Sequence, residues 1–212
     1  MIVYGSSLSP FVRKVLAFAA EKGIEVENQP VNPRQPDEAF VEASPFRKIP
    51  AFRDGDFTVA DSSAIVQYLE ALKPEPALIP AEPKARAKAI WFDEYADTIL
   101  GPTCAKMMFN RIVAPKFMGR DGDLEAAAKA EREELPPALD YLESAIPDTL
   151  HLVGSGLTLA DIAVATMFAN FNHLKVAIDP ARYPRVTAFA DAMLARPSFS
   201  AWIEQETMML GA

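Results

Sequence analysis

The spacing of apolar positions changes along the chain, and each change marks an element. Ile2-Val3-Tyr4 is a short β-prone run that stops at Gly5. Beyond it, Phe11, Val15 and Phe18 fall on one helical stripe, widened by Val12, Leu16 and Ala19. Ser9 suits the N-cap of that helix, Pro10 its first position and Gly23 its stop. Residues Glu25 to Val31 alternate weakly and predict a second strand. The stretch from Pro33 to Pro45 is irregular, with room for a short helix around Glu38-Ala39-Phe40-Val41. Two further β-prone runs, Ile49 to Arg53 and Phe57 to Ala60, flank Asp54-Gly55, a hairpin signal. Asp61-Ser62 then caps a helix whose Ala64, Ile65, Tyr68, Leu69 and Leu72 share a face. The order βαβ-α-ββα predicts a mixed four-stranded sheet covered by helices.

The pattern changes after Lys73. Pro74, Pro76, Pro80 and Pro83 predict a semi-rigid linker, because neither helix nor sheet accepts prolines at that density. Everything downstream reads as helical. Lys84 to Leu100 and Thr103 to Lys116 are expected to form a long helical stretch kinked at Gly101-Pro102. Leu124 to Ile146 predicts another, interrupted by Pro136-Pro137, followed by an apolar helix from Thr158 to Phe171 and an amphipathic one from Pro184 to Leu194. Thr158 and Asp161 fit a capping box, with Leu157 and Ile162 as its hydrophobic staple. The expected organisation is an α/β domain over residues 1–73, a linker over 74–83 and an all-α domain over 84–212.

Composition narrows the function. With 21 Lys and Arg against 29 Asp and Glu, the formal charge is -8, which disfavours non-specific binding to nucleic acid. A small anion could still be held by a local group of cations. One cysteine, Cys104, leaves no intramolecular disulfide framework and no site of several thiolates. Neither a signal peptide nor a membrane span is read from the chain, so the expected location is the cytoplasm. His151 and His173 lack partners at metal-ligand spacing, and neither a metal nor a bound cofactor is expected.

Three segments carry a resemblance, in order along the chain. They are Tyr4-Gly5-Ser6-Ser7-Leu8-Ser9-Pro10-Phe11-Val12-Arg13-Lys14-Val15, then Ser44-Pro45-Phe46-Arg47-Lys48-Ile49-Pro50-Ala51-Phe52 with Asp61-Ser62-Ser63-Ala64-Ile65, and finally Gly154 to Ala163. The trio resembles the cytosolic glutathione transferase family, and the Ser-Pro-Phe loop looks closest to its tau-like and bacterial Ser-type members. The resemblance implies a thioredoxin-like N-terminal domain that binds glutathione and a helical domain that supplies the second substrate's pocket. Ser9 then sits where Ser-type members place the hydroxyl that stabilises the glutathione thiolate. Ser6, Ser7 and Tyr4 are the rival hydroxyls, and as a plain sequence feature Ser9 is also an ordinary N-cap.

The remaining site residues follow from the same resemblance. Ile49-Pro50 is expected to be a cis peptide that turns the Ile49 backbone toward the cysteinyl part of glutathione. Lys48 would meet the glycine carboxylate, Ser62 the γ-glutamyl carboxylate and Asp61 the ammonium. Phe11, Met107, Met108 and Arg111, with Met208-Met209-Leu210, are candidates for the second pocket. The expected reaction joins glutathione, as co-substrate, to a hydrophobic electrophile. Peroxide reduction at the same site and a non-catalytic binding module are the alternatives. A homodimer is expected, with Phe46 and the helix of Tyr68 as candidate contacts.

Overall fold

The computed structural model describes residues 1–32 and 34–211. The N-terminal part runs β1 (Ile2–Tyr4), α1 (Pro10–Glu21), β2 (Glu27–Gln29), α2 (Glu38–Ala43), β3 (Ala51–Asp54), β4 (Phe57–Ala60) and α3 (Ser62–Leu72). The sheet order is β2-β1-β3-β4, with β1 parallel to β2 and antiparallel to β3. Strand alternation gives the sheet two buried faces. Val3 and Phe52, paired in register, enter the main core with α1 and α3, whereas their neighbours Tyr4 and Ala51 pack with Phe40 and Ala43 of α2. This is the thioredoxin-like arrangement.

The second strand keeps only three of the seven residues expected. The irregular stretch that follows contains α2, capped by Asp37, whose Oδ1 accepts from the Phe40 N–H at 2.7 Å. Pro33, the expected start of that stretch, lies outside the described residues. The proline-dense linker is fastened as well as stiff. Buried Lys22 donates from Nζ to Glu70 Oε2 (2.7 Å) and to the carbonyls of Pro74 (3.1 Å) and Pro76 (2.7 Å).

The C-terminal part comprises α4 (Pro83–Tyr95), α5 (Gly101–Met108), α6 (Leu124–Lys129), α7 (Leu135–Ala145), α8 (Leu159–His173), α9 (Pro184–Leu194) and α10 (Pro197–Leu210). Three widened, π-helical turns, Ala96–Leu100, Phe109–Phe117 and Ala130–Glu134, join or extend these helices. The long helical stretch expected across Gly101-Pro102 is present, and a widened turn stands where the kink was expected. The Gly101 N–H donates to Ala96, five residues back, and the helix runs on. A proline lacks an N–H and crowds the carbonyl four residues before it, and a widened turn relieves both. The same device accommodates Pro115, inside the second widened turn, and Pro136-Pro137, just after the third.

Helix α8 is buried along nearly its whole length and stands between α1 and the rest of the helical part. Its start is clamped by Asp161, whose Oδ2 accepts from the Thr158 N–H (2.8 Å) and Oδ1 from the Leu152 N–H (2.7 Å). Helix α10 was not expected from the sequence: Phe199, Trp202, Ile203 and Leu210 share a face, but polar Ser198 and Glu206 are buried on the same helix and break its apolar pattern. Among the described residues, no helix is long and apolar enough to cross a membrane.

Candidate functional site

Two cavities meet at the N-terminus of α1. The first, of about 530 Å³, is lined by Lys48, Ile49, Pro50, Asp61 and Ser62, and on its far wall by Glu94, Asp97 and Thr98 from the helical part. The second, of about 700 Å³, holds Ser9 and a largely apolar wall. Phe11 and Ile49 line both, and Phe11 lies on the same helical turn that Ser9 opens.

Ser9 has the backbone of an N-cap (φ -72, ψ 124), yet its side chain makes no capping hydrogen bond. Ser9 lines the second cavity with its hydroxyl uncommitted to the helix. The backbone around it is held from the other domain. The Asn170 side-chain amide of α8 donates to the Leu8 carbonyl (3.2 Å), and Thr166 Oγ1 donates to the Pro10 carbonyl (2.7 Å). Arg13, fully buried, donates in turn to Asn170 Oδ1 (2.7 Å) and the Thr166 carbonyl (2.9 Å). The carbonyls on either side of Ser9 are thus both anchored to α8. Of the rival hydroxyls, Ser6 lines the second cavity and accepts from the Leu8 N–H at 3.4 Å, and Ser7 lines neither cavity. Tyr4 is buried against Phe40.

The Ile49–Pro50 peptide is cis. Among the described residues, the Ile49 N–H and C=O make no hydrogen bond. The preceding turn is fixed by Ser44, whose hydroxyl donates to the Lys48 carbonyl (2.7 Å) and accepts from its N–H (3.0 Å). Asp61, at φ 89, caps α3 by accepting from the Ser63 and Ala64 N–H groups at 2.9 and 3.0 Å. Ser62, the first residue of α3, lines the first cavity, and among the described residues its N–H and hydroxyl make no hydrogen bond. One Asp61 oxygen is already engaged in the cap.

Sequence reasoning missed Asp97. Buried Lys14 of α1 donates to Asp93 (2.6 Å) and to Asp97 Oδ2 (2.8 Å), and Ser63 Oγ donates to Asp93 at 2.7 Å. Asp97 Oδ1 is buried with no partner among the described residues, in the wall of the first cavity. Burial pushes the Asp97 pKa up to about 6, against the pull of Lys14. Local spacing gives no signal for this, because the cation arrives from another domain.

The second-pocket candidates divide. Phe11 and Met108 line the cavity, and so does Met209 of the C-terminal trio. Met107 does not: it is fully buried in the core. Arg111 points elsewhere as well, into an ion pair with Glu131 at 2.5 Å, so a charged end that the apolar cavity could not satisfy finds a carboxylate on the next helix. Cys104 lines the cavity, but burial pushes its thiol up to about 12, which keeps it protonated.

Comparison with known proteins places the chain in a family. Family models for the glutathione S-transferase N-terminal and C-terminal domains match residues 3–77 and 108–206. A glutathione S-transferase of Hyoscyamus muticus is 33% identical, covering 96% of this chain and 98% of its own. Glutathione S-transferase 3 of Zea mays is 32% identical, covering 93% and 90%. The crystal structure of a glutathione transferase from Populus trichocarpa superposes with a TM-score of 0.83 at 26% identity, over 96% of this chain and 97% of that one. The chain belongs to the glutathione transferase family. It is an enzyme of that class.

Proposed function

We propose that the protein joins the glutathione thiolate to hydrophobic electrophiles, with the tripeptide in the first cavity and its sulfur beside Ser9. The observation that carries this reading is a serine at a helix N-terminus that lines the second cavity, two residues before Phe11, which lines both cavities, and whose hydroxyl caps nothing. Lys48 would meet the glycine carboxylate and the Ile49 backbone the cysteinyl unit. Ser62 would hold the γ-glutamyl carboxylate at the start of α3, where free N–H groups favour an anion. Asp61 and Asp97, on opposite walls, would face the ammonium.

A free thiol has a pKa of about 8.5, so little of it is ionised at neutral pH. A donated hydrogen bond and the positive end of α1 both favour the thiolate. The thiol proton leaves to solvent, sulfur bonds to the electrophilic carbon, and the leaving group departs with the bonding pair. In additions to activated alkenes there is no leaving group: the π pair shifts away from the attacked carbon, and the neighbouring carbon takes up a proton from solvent. Ser9 remains a donor throughout, and positioning in the two cavities supplies the rest.

Ser9→Ala tests this. The pKa of bound glutathione, read by thiolate absorbance, should return toward the free value, and kcat should fall by about 10²-fold. A wild-type complex with an unshifted thiol, or a fully active variant, would overturn the reading.

We also infer that the protein acts as a homodimer. Phe46, on the loop before β3, is 87% exposed, an unusual position for a phenylalanine that nothing covers. Light scattering at micromolar concentration should give twice the chain mass, and a monomeric mass contradicts it.

A further inference from the structure

The wall of the second cavity is apolar on most sides, formed by Leu8, Phe11, Met108, Phe109, Val113 and Phe117 among others. One charged residue lines it among the described residues, Arg47. Its neighbour Lys48 lines the first cavity and not the second. Arg47 has φ 55, so the chain reverses between these adjacent cations and each is delivered to a different cavity. The Arg47 backbone is anchored, its N–H donating to the Ser44 carbonyl at 2.8 Å.

The guanidinium is not neutralised. Arg53 and Arg111 pair with Glu42 and Glu131, whereas Arg47 pairs with no carboxylate among the described residues. Outside the lining, Arg120 lies over the ring of Phe109, 5.2 Å from its centroid, and Phe109 is one of the lining residues. No acidic residue lines this cavity among the described residues. In a chain of net charge -8, an apolar cavity whose lining charge is positive is complementary to one kind of molecule.

We propose that the preferred second substrate is an amphipathic carboxylate, its apolar body in the second cavity and its carboxylate on Arg47, with the electrophilic carbon beside Ser9. The planar fork of a guanidinium matches a carboxylate's two oxygens, so the contact sets orientation as well as attraction. Because Arg47 is exposed, the pair would select among substrates more than it would tighten binding. This rests on the Ser9-centred reading given above.

The test compares ethacrynic acid, an α,β-unsaturated ketone bearing a carboxylate, with its primary amide, both conjugated at saturating glutathione. The wild-type protein should favour the acid in kcat/KM by about twofold to fivefold, the scale of an exposed ion pair. Arg47→Gln should bring the acid-to-amide ratio close to one, and Arg47→Lys should retain part of the preference. The KM for glutathione should hold in both variants. Turnover of both compounds without preference overturns this inference alone. A raised KM for glutathione in Arg47→Gln also overturns it, since Arg47 would then serve the tripeptide. Turnover of neither compound overturns this inference, while the thiolate absorbance of bound glutathione decides the Ser9 reading separately.

Discussion

Asp97 brings a carboxylate into the first cavity from the helical half of the molecule, with one oxygen on Lys14 and the other buried and unpartnered among the described residues. Its pKa, pushed up to about 6 from 3.8 by burial, has two consequences. The folded protein holds this proton more tightly than the unfolded chain does. The associated stability is therefore fully present below pH 3.8 and is lost as pH rises through about 6. Asp97→Asn should remove that component of the decline in Tm over the same window. The second consequence concerns the ligand. An ammonium placed against Asp97 lowers its pKa, so binding near pH 6 should release part of a proton. S-methylglutathione, which has no thiol proton of its own, isolates the effect. Its binding heat should depend on the ionisation enthalpy of the buffer in the wild type and not in Asp97→Asn. Buffer-independent heats in the wild type would remove Asp97 from the tripeptide's surroundings.

At the scale of elements, what could be read in the sequence was what neighbouring residues decide. Ser9-Pro10 opening α1, Asp54-Gly55 turning β3 into β4, and Thr158 with Asp161 starting α8 all depend on chemistry within a few positions. The widened turns and α10 escaped because their causes are distant or diffuse. Pro136-Pro137 reads as an interruption until the helix is seen to absorb it by a turn of five, and α10 owes its place to Glu206, which reaches Arg13. The site divides in the same way. Lys48, Ile49, Pro50, Asp61 and Ser62 come from two short motifs and line one cavity, whereas Met107 and Arg111 were guesses about a surface that only packing creates. Gly5 shows how tightly the two N-terminal loops are joined. It lies at φ 134, and a Cβ there would stand 2.7 Å from Val12 Cγ2 and 2.9 Å from Ile49 Cβ. Gly5→Ala must push the Ser9 loop away from the Ile49 loop. Urea unfolding should show a loss of about 2 kcal/mol or more, with weakened glutathione binding. A loss within about 0.5 kcal/mol would mean that the loops part freely.

Across the whole molecule, the two halves are joined by buried charge as well as by apolar contact. Arg13 and Glu206 are both fully buried and bonded through two pairs of atoms, at 3.1 and 2.6 Å, with His173 Nε2 2.8 Å from the same carboxylate. Burial works against the Glu206 charge, but the His173 bond and the Arg13 guanidinium outweigh it and hold its pKa below the usual range. The sign is opposite to that of Asp97: this stability is present above the unfolded pKa and is lost as pH falls through the folded one. Glu206→Ala would leave Arg13 buried without a counter-charge, at a cost of about 3–5 kcal/mol, a large share of a stability of roughly 5–15 kcal/mol. The N-terminal half cannot open without exposing that charge, so the halves should unfold as one unit. The protein's two tryptophans, Trp91 and Trp202, both lie in the helical half, whereas most residues of the first cavity lie in the other. Glutathione at about 100 times its Kd should therefore raise the unfolding free energy detected by tryptophan fluorescence by about 2.7 kcal/mol, matching the shift seen by circular dichroism. In Glu206→Ala the two probes should begin to separate, because the tie has been cut on one side. If glutathione left the tryptophan-detected transition of the wild type where it was, the halves would be folding independently, and the buried ion pair would not be what couples them.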